Sequence, residues 1–161
     1  MGTIPTAPLR VRRGSACRHD RRRLRPCRTI TRLTTALGNR LKPPCEAIGS
    51  ELKVLTPGRV RYPDASVVCE APDNDGDIGA PTVVFEVVTP SSALTDRTVK
   101  ASEYASVPGI MVYVIPETER PELSVRRRAG GWEAETVAGP DAELALPEVG
   151  ITIPLAAIYT R

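Results

Sequence analysis

Glu86 interrupts an apolar run, Val83-Val84-Phe85-Glu86-Val87-Val88. An ionised carboxylate buried without a partner is costly, so such a group is paired, protonated or bound to a cation. The plainer alternatives are a glutamate that reaches past a sheet edge, or a buried salt bridge. A second carboxylate, Asp64, follows a proline in Tyr62-Pro63-Asp64. Proline inside a sheet is confined to edges, bulges and strand starts, so Asp64 is expected to open a strand. A lone Pro-Asp pair is otherwise an ordinary turn. Asp64 precedes Glu86 by 22 residues, room for a strand, a loop and the neighbouring strand. Asp96, Lys100 and Tyr104 are spaced by four, which puts them on one face of a helix. A surface Asp96–Lys100 pair would explain that spacing equally well and contribute little.

Those residues need elements to carry them. Residues 82–88 read as a strand with Val83, Phe85 and Val87 on one side and Val84 and Val88 on the other. A strand apolar on both sides is central and covered on both faces. Residues 65–69 form a shorter strand before it. Thr95 or Asp96 caps a helix running to about Val107, closed by Pro108-Gly109. Residues 110–115 are another buried strand. Residues 123–128 and 132–137 form a hairpin around Ala129-Gly130-Gly131. Upstream, Ile30, Leu33, Leu37 and Leu41 recur at helical spacing over 29–41. Lys42-Pro43-Pro44 stops that helix. Residues 51–55 alternate like a half-buried strand and Pro57-Gly58 turns the chain. Residues 155–159 are a last short helix. Together these predict an α/β chain of the α+β kind, a mixed sheet flanked by helices.

Composition narrows the chemistry. The chain has 161 residues, enough for one domain with a core, and its net charge is +3. That charge is unevenly placed. Residues 1–30 hold nine Arg and one Asp, whereas the other 131 residues balance at −5. Residues 1–28 read as an Arg-rich arm, either disordered or not native to the domain that follows at 29–161. Arg-rich text with scattered Pro and Cys is typical of a wrong reading frame in GC-rich DNA. Translating the source DNA in its other two frames tests that origin. No apolar signal region and no membrane-length apolar run occur, so a cytoplasmic setting with four free thiols is expected. Cys17, Cys27, Cys45 and Cys69 lack the pairing of a zinc site, and His19 is the only histidine. A Ser-His-Asp triad therefore has no base in the domain. No phosphate-cradling glycine loop is present. The loop Asp73-Asn74-Asp75-Gly76-Asp77 is a solvated acidic turn, not a calcium loop, because Ile78 and Val84 stand where glycine and glutamate are required.

The ordered set of motifs resembles a known group. Tyr-Pro-Asp-Ala-Ser-Val-Val-Cys begins at Tyr62, and Val-Val-Phe-Glu-Val-Val-Thr-Pro-Ser-Ser begins at Val83. Asp-Arg-x-x-Lys spans Asp96 to Lys100, followed by Tyr104 and Met111-Val112-Tyr113-Val114-Ile115. Pro147-Glu148-Val149-Gly150-Ile151 and Leu155-Ala156-Ala157-Ile158-Tyr159 complete the likeness. The chain resembles the PD-(D/E)XK nuclease superfamily and, within it, the Uma-type family of restriction-endonuclease-like proteins. It departs from the superfamily pattern at Val88, where lysine is expected. The resemblance implies that the following helix supplies this lysine as Lys100.

What the resemblance implies is a metal-dependent phosphodiester hydrolase acting on nucleic acid, a DNA endonuclease before any other. Asp64, Glu86 and the backbone carbonyl of Val87 would hold Mg²⁺, with Mn²⁺ as substitute, and Lys100 would act on the attacking water. Asp96 and Tyr104 would position Lys100. Such nuclease-like domains often dimerise to cut duplexes, so the resemblance admits a homodimer without fixing the oligomeric state. The rival readings are a catalytically silent module that binds DNA or a protein, and a structural oligomer whose Glu86 pairs with Lys100 and takes no metal. Among basic runs Arg126-Arg127-Arg128 is the best remaining patch, but strand alternation sends its members to opposite sides.

Overall fold

The computed structural model describes residues 24–70, 80–88 and 93–160, with the side chains of 93–96 excepted. The arginines before Leu24, the acidic turn at 73–77 and the Thr95 or Asp96 cap lie outside the described residues or side chains.

Helix α1 spans Leu24–Gly38 and buries Pro26, Thr29, Leu33, Ala36 and Leu37 along one stripe. It starts earlier than its apolar spacing predicts. Pro26 sits in the first turn, where backbone N–H groups have no helical partner and none is lost. Four threonines within it send their hydroxyls back to the carbonyl four residues earlier: Thr29 to Arg25, Thr31 to Cys27, Thr34 to Ile30 and Thr35 to Thr31. That use of the side chain makes β-branched residues compatible with the helix. The helix ends at Gly38, short of the predicted Leu41.

Among the described residues ten strands follow: β1 (Glu46–Ile48), β2 (Val54–Thr56), β3 (Arg59–Arg61), β4 (Ala65–Val68) and β5 (Val83–Phe85). After helix α2 (Ala93–Ala105) come β6 (Val112–Pro116), β7 (Glu122–Arg127), β8 (Ala134–Ala138), β9 (Glu143–Leu146) and β10 (Ile151–Pro154). Helix α3 is Leu155–Tyr159. The main sheet has six strands in the order β1-β4-β5-β6-β7-β8. Only the β5–β6 pair is parallel, because α2 carries the chain across the sheet between them. The result is the mixed α+β architecture expected, with the two-faced apolar strand β5 at its centre.

The register is regular. Ala65, Phe85, Val114 and Val125 form one rung; Ser66, Val84, Tyr113 and Arg126 form the next. Side chains alternate between faces along each strand. One face packs against α1, α3 and the β9–β10 hairpin. Its core includes Leu33, Leu37, Val67, Val83, Phe85, Val112, Val114, Leu123, Val125, Leu144, Leu146 and Ile153. The opposite face holds Val68, Val84, Tyr113 and Ile115, with Ala101 and Tyr104 of α2 and Leu52 and Val54 beside β2.

Two predicted elements shift their boundaries and one element is new. The half-buried alternation at 51–55 becomes a strand only from Val54, which pairs with Arg61 across a turn where Gly58 takes φ +72°. The hairpin β7–β8 closes through a 3-10 turn at Arg128–Gly130, with Gly131 and Trp132 both left-handed. The β9–β10 hairpin was not foreseen, since its four-residue alternation is too short to stand out. A further expectation is corrected outright. Four free thiols were expected, but Cys45 and Cys69 form a disulfide, and Cys27 is disulfide-bonded as well. For the first pair the physical reason is topological. Glu46 pairs with Val68 at the end of the β1–β4 ladder, so the next rung places the two cysteines face to face.

Candidate active site

The antiparallel register of β4 and β5 brings the two carboxylates together. Ala65 pairs with Phe85. One rung further, Asp64 faces Glu86, and both lie on the α2 face of the sheet. Asp64 is 7% exposed and Glu86 5%. The ladder does not continue in the ordinary way there. Pro63 has no N–H to give. Instead Val87 N donates to Asp64 Oδ2 at 2.8 Å. This is why β5 ends at Phe85, earlier than the apolar run to Val88 predicts, although Glu86 N still donates to Val114 O at 3.1 Å.

Glu86 is fully engaged by α2. Lys100 Nζ donates to Oε2 at 2.8 Å and the Tyr104 hydroxyl donates to Oε1 at 2.6 Å. The four-residue spacing of the two donors puts them one turn apart, which is how one helix reaches both oxygens. Val88, the position where lysine is expected, is instead a buried apolar contact. The structure thus brings Asp64, Glu86, Lys100 and Tyr104 together. Val87 sits between them with its N–H spent on Asp64. Asp96 lies in the first turn of α2, and its side chain is outside the described set.

The electrostatics follow from burial. Loss of water and the charge of Glu86 push the Asp64 carboxyl up to about 7, offset in part by the Val87 N–H and by Lys100. The Tyr104 phenol is held well above its ordinary value, first by burial and then by Glu86, so it remains a proton donor to that carboxylate. Beyond them, Arg61 bonds Glu103 Oε2 at 2.6 Å, and Arg59 lies 3.4 Å from the same carboxylate. Arg61 is near enough to be raised further by Tyr104 and Glu86. This basic flank was not singled out from sequence, though Arg59 and Arg61 alternate immediately before Tyr62-Pro63-Asp64.

The donor set fits a hard divalent cation. Among the described residues no group of three or more His, Cys, Asp or Glu side chains is poised for a metal. Mg²⁺ needs no such group, because it takes one or two carboxylates and keeps several waters. Two facing carboxyls, one with its proton held to about pH 7 first by burial and then by the charge of its neighbour, form a pair whose double ionisation a cation would favour. The arginine run does not supply a binding patch. Arg126 donates to Trp132 O, Arg127 to Glu148 and Ala145 O, and Arg128 to Ala105 O, Val107 O and Ile110 O. Arg128 also lies 5.1 Å from the Trp132 ring centroid.

Known proteins share the fold and the family. An uncharacterised protein of Synechocystis, slr1290, is 30% identical over 135 residues, covering 80% of this chain and 70% of that protein. A crystal structure titled as a "putative nuclease belonging to DUF820" from Anabaena variabilis superposes with a TM-score of 0.72 at 18% identity. The match covers 84% of this chain and 80% of that one, and shows that the fold is restriction-endonuclease-like. Residues 26–156 match the model of the Uma2 family, described as "putative restriction endonuclease", and the chain belongs to that family.

Proposed function

We propose that the chain hydrolyses phosphodiester bonds in nucleic acid, with DNA as the first substrate class and Mg²⁺ held by Asp64, Glu86 and the Val87 carbonyl. The observation that carries this reading is the facing of two buried carboxylates beside a lysine. When bound, Mg²⁺ lowers the pKa of a coordinated water and neutralises phosphate charge. The chain's own residues do the rest. Glu86 and Asp64 bind and orient the ion from adjacent strands. Lys100, delivered by α2 to the edge of Glu86, orients the attacking water and steadies the charge that develops on the phosphate. Tyr104 keeps Glu86 from rotating away. Arg59 and Arg61, paired with Glu103, add positive charge beside the site. A homodimer would present two such sites to a duplex.

A second reading has a specific observation behind it. Lys100 and Tyr104 together satisfy both oxygens of Glu86. That network stabilises the buried carboxylate without any cation, as a catalytically silent or purely structural member would require. One experiment separates the two. Supercoiled and linear DNA, single-stranded DNA and RNA are incubated with Mg²⁺ or Mn²⁺ beside Glu86→Gln, which keeps the shape of the side chain. The nuclease reading expects the variant to fold and to lose about 1000-fold or more in rate. Equal cleavage by both proteins, or no heat of Mn²⁺ binding to the wild type, would sink it.

A further inference from the structure

Among the described residues four buried side-chain polar atoms have no hydrogen-bond partner: Ser66 Oγ, Tyr113 OH, Arg97 Nε and Arg126 Nε. Three of them lie on a single rung. Ser66 pairs with Val84, Val84 with Tyr113 and Tyr113 with Arg126 across β4, β5, β6 and β7. This rung faces α2, one step behind the Asp64–Glu86 position. The fourth, Arg97, comes from α2 itself and is anchored at its far end to Glu117 at 2.6 Å. The unpartnered polar atoms thus converge on the same face as the carboxylates.

Tyr113 is the member that touches the site's framework. Its ring packs against Tyr104 with centroids 5.1 Å apart and planes at 57°. Tyr104 in turn donates to Glu86 Oε1 at 2.6 Å. The Tyr113 side chain is fully buried. Burial and then the charge of Glu86 hold its phenol well above the ordinary value, with Asp64 adding to the rise and Arg97 and Arg126 opposing it. Tyr113 therefore stays a protonated donor within reach of both carboxylates' fields. A buried hydroxyl without a partner destabilises a fold, and phenylalanine would make the same ring contact without that cost. The hydroxyl calls for a role outside the packing.

We propose that Tyr113 is a positioning residue of the hydrolytic site, its ring fixing Tyr104 against Glu86 and its hydroxyl donating to a water of the loaded site. This rests on the nuclease reading above. The ring and the hydroxyl act on different things, so they separate experimentally. Tyr113→Phe keeps the ring and removes the donor.

The test compares wild type, Tyr113→Phe and Glu86→Gln in thermal unfolding, Mn²⁺ titration and steady-state DNA cleavage with Mg²⁺. The expected Tyr113→Phe protein unfolds at or above the wild-type temperature, binds Mn²⁺ within about twofold of wild type, keeps KM and loses about 10- to 100-fold in kcat. A side chain that only packs would leave kcat unchanged, and that result overturns the inference while leaving the nuclease reading intact. A fall in Mn²⁺ affinity that matches the fall in kcat also overturns it, since Tyr113 would then act on the metal and not on a water. A wild type that cleaves nothing, with a Mn²⁺ titration identical to that of Glu86→Gln, removes both.

Discussion

The two faces of the six-stranded sheet are built by the same strands to opposite specifications. On the α1 and α3 face the central rungs are apolar, Ala65, Phe85, Val114 and Val125, then Val67, Val83 and Val112, and the second ends in Arg127 of β7, which bonds Glu148 and Ala145 O. On the α2 face the same strands present Asp64, Ser66, Glu86 and Tyr113 among Val68, Val84 and Ile115. The first face holds the fold. The second spends part of that stability on buried polar groups: Glu86 is partnered from α2, Asp64 by the Val87 N–H, and Ser66 Oγ and Tyr113 OH are unpartnered. The lesson is a division by strand parity, with Val83 and Phe85 turned to the apolar face and Glu86 turned to the face that carries the buried polar groups.

Substitutions on the two faces should separate rate from stability. The largest effect after Glu86 itself is expected at Lys100. Lys100→Met should cut kcat by about 100-fold. It should also destabilise the protein by about 2 kcal/mol, less than for a fully buried pair, because 20% of the Lys100 side chain is exposed. Single-turnover cleavage and urea unfolding of one preparation measure both, and an unchanged rate would reduce Lys100 to a structural counter-ion. Leu144→Ala, on the fully buried opposite face, should do the reverse. It is expected to cost about 2–5 kcal/mol in unfolding with kcat per folded molecule unchanged. A lost rate there would show that the two faces are not independent.

The mildest probe is pH. Asp64 holds its proton to about 7 in the folded state, above the ordinary carboxylate range of the unfolded chain. Between about pH 4 and 7 the native state therefore binds more protons than the unfolded one, and metal-free stability falls as pH rises through that window, then levels off. The loss is about 4 kcal/mol by linkage. Asp64→Asn should flatten the slope, and Mg²⁺ should restore stability at pH 8 in wild type alone. A wild-type slope equal to that of Asp64→Asn would mean that Asp64 ionises freely.

Much of this division was legible beforehand. The two-faced run at 82–88 marked the central strand, and Glu86 stood out because local pattern alone makes a carboxylate there anomalous. Lys100 and Tyr104 were grouped by helical spacing, a local rule that survives folding. What escaped depended on pairing between distant segments. The Tyr113 ring reaches Tyr104 only once β6 lies beside β5. Cys45 meets Cys69 only through the β1–β4 register, which no spacing in the chain announces. Val87 joined Asp64 through a backbone N–H, a group that every residue but proline carries and that sequence cannot single out. The early start of α1 was hidden because Pro26 breaks a helix everywhere except in the first turn, the one it occupies.

The bond from Val87 N to Asp64 Oδ2 has a consequence for how the protein comes to life. Slipping β4 by a single residue against β5 would turn Asp64 to the α1 face and strand it in hydrocarbon. A misaligned intermediate would therefore be inert as well as unstable. Catalytic competence then doubles as a certificate of alignment: recovery of cleavage during refolding would time the moment at which β4 and β5 find their correct match, independently of any change in helix or strand content.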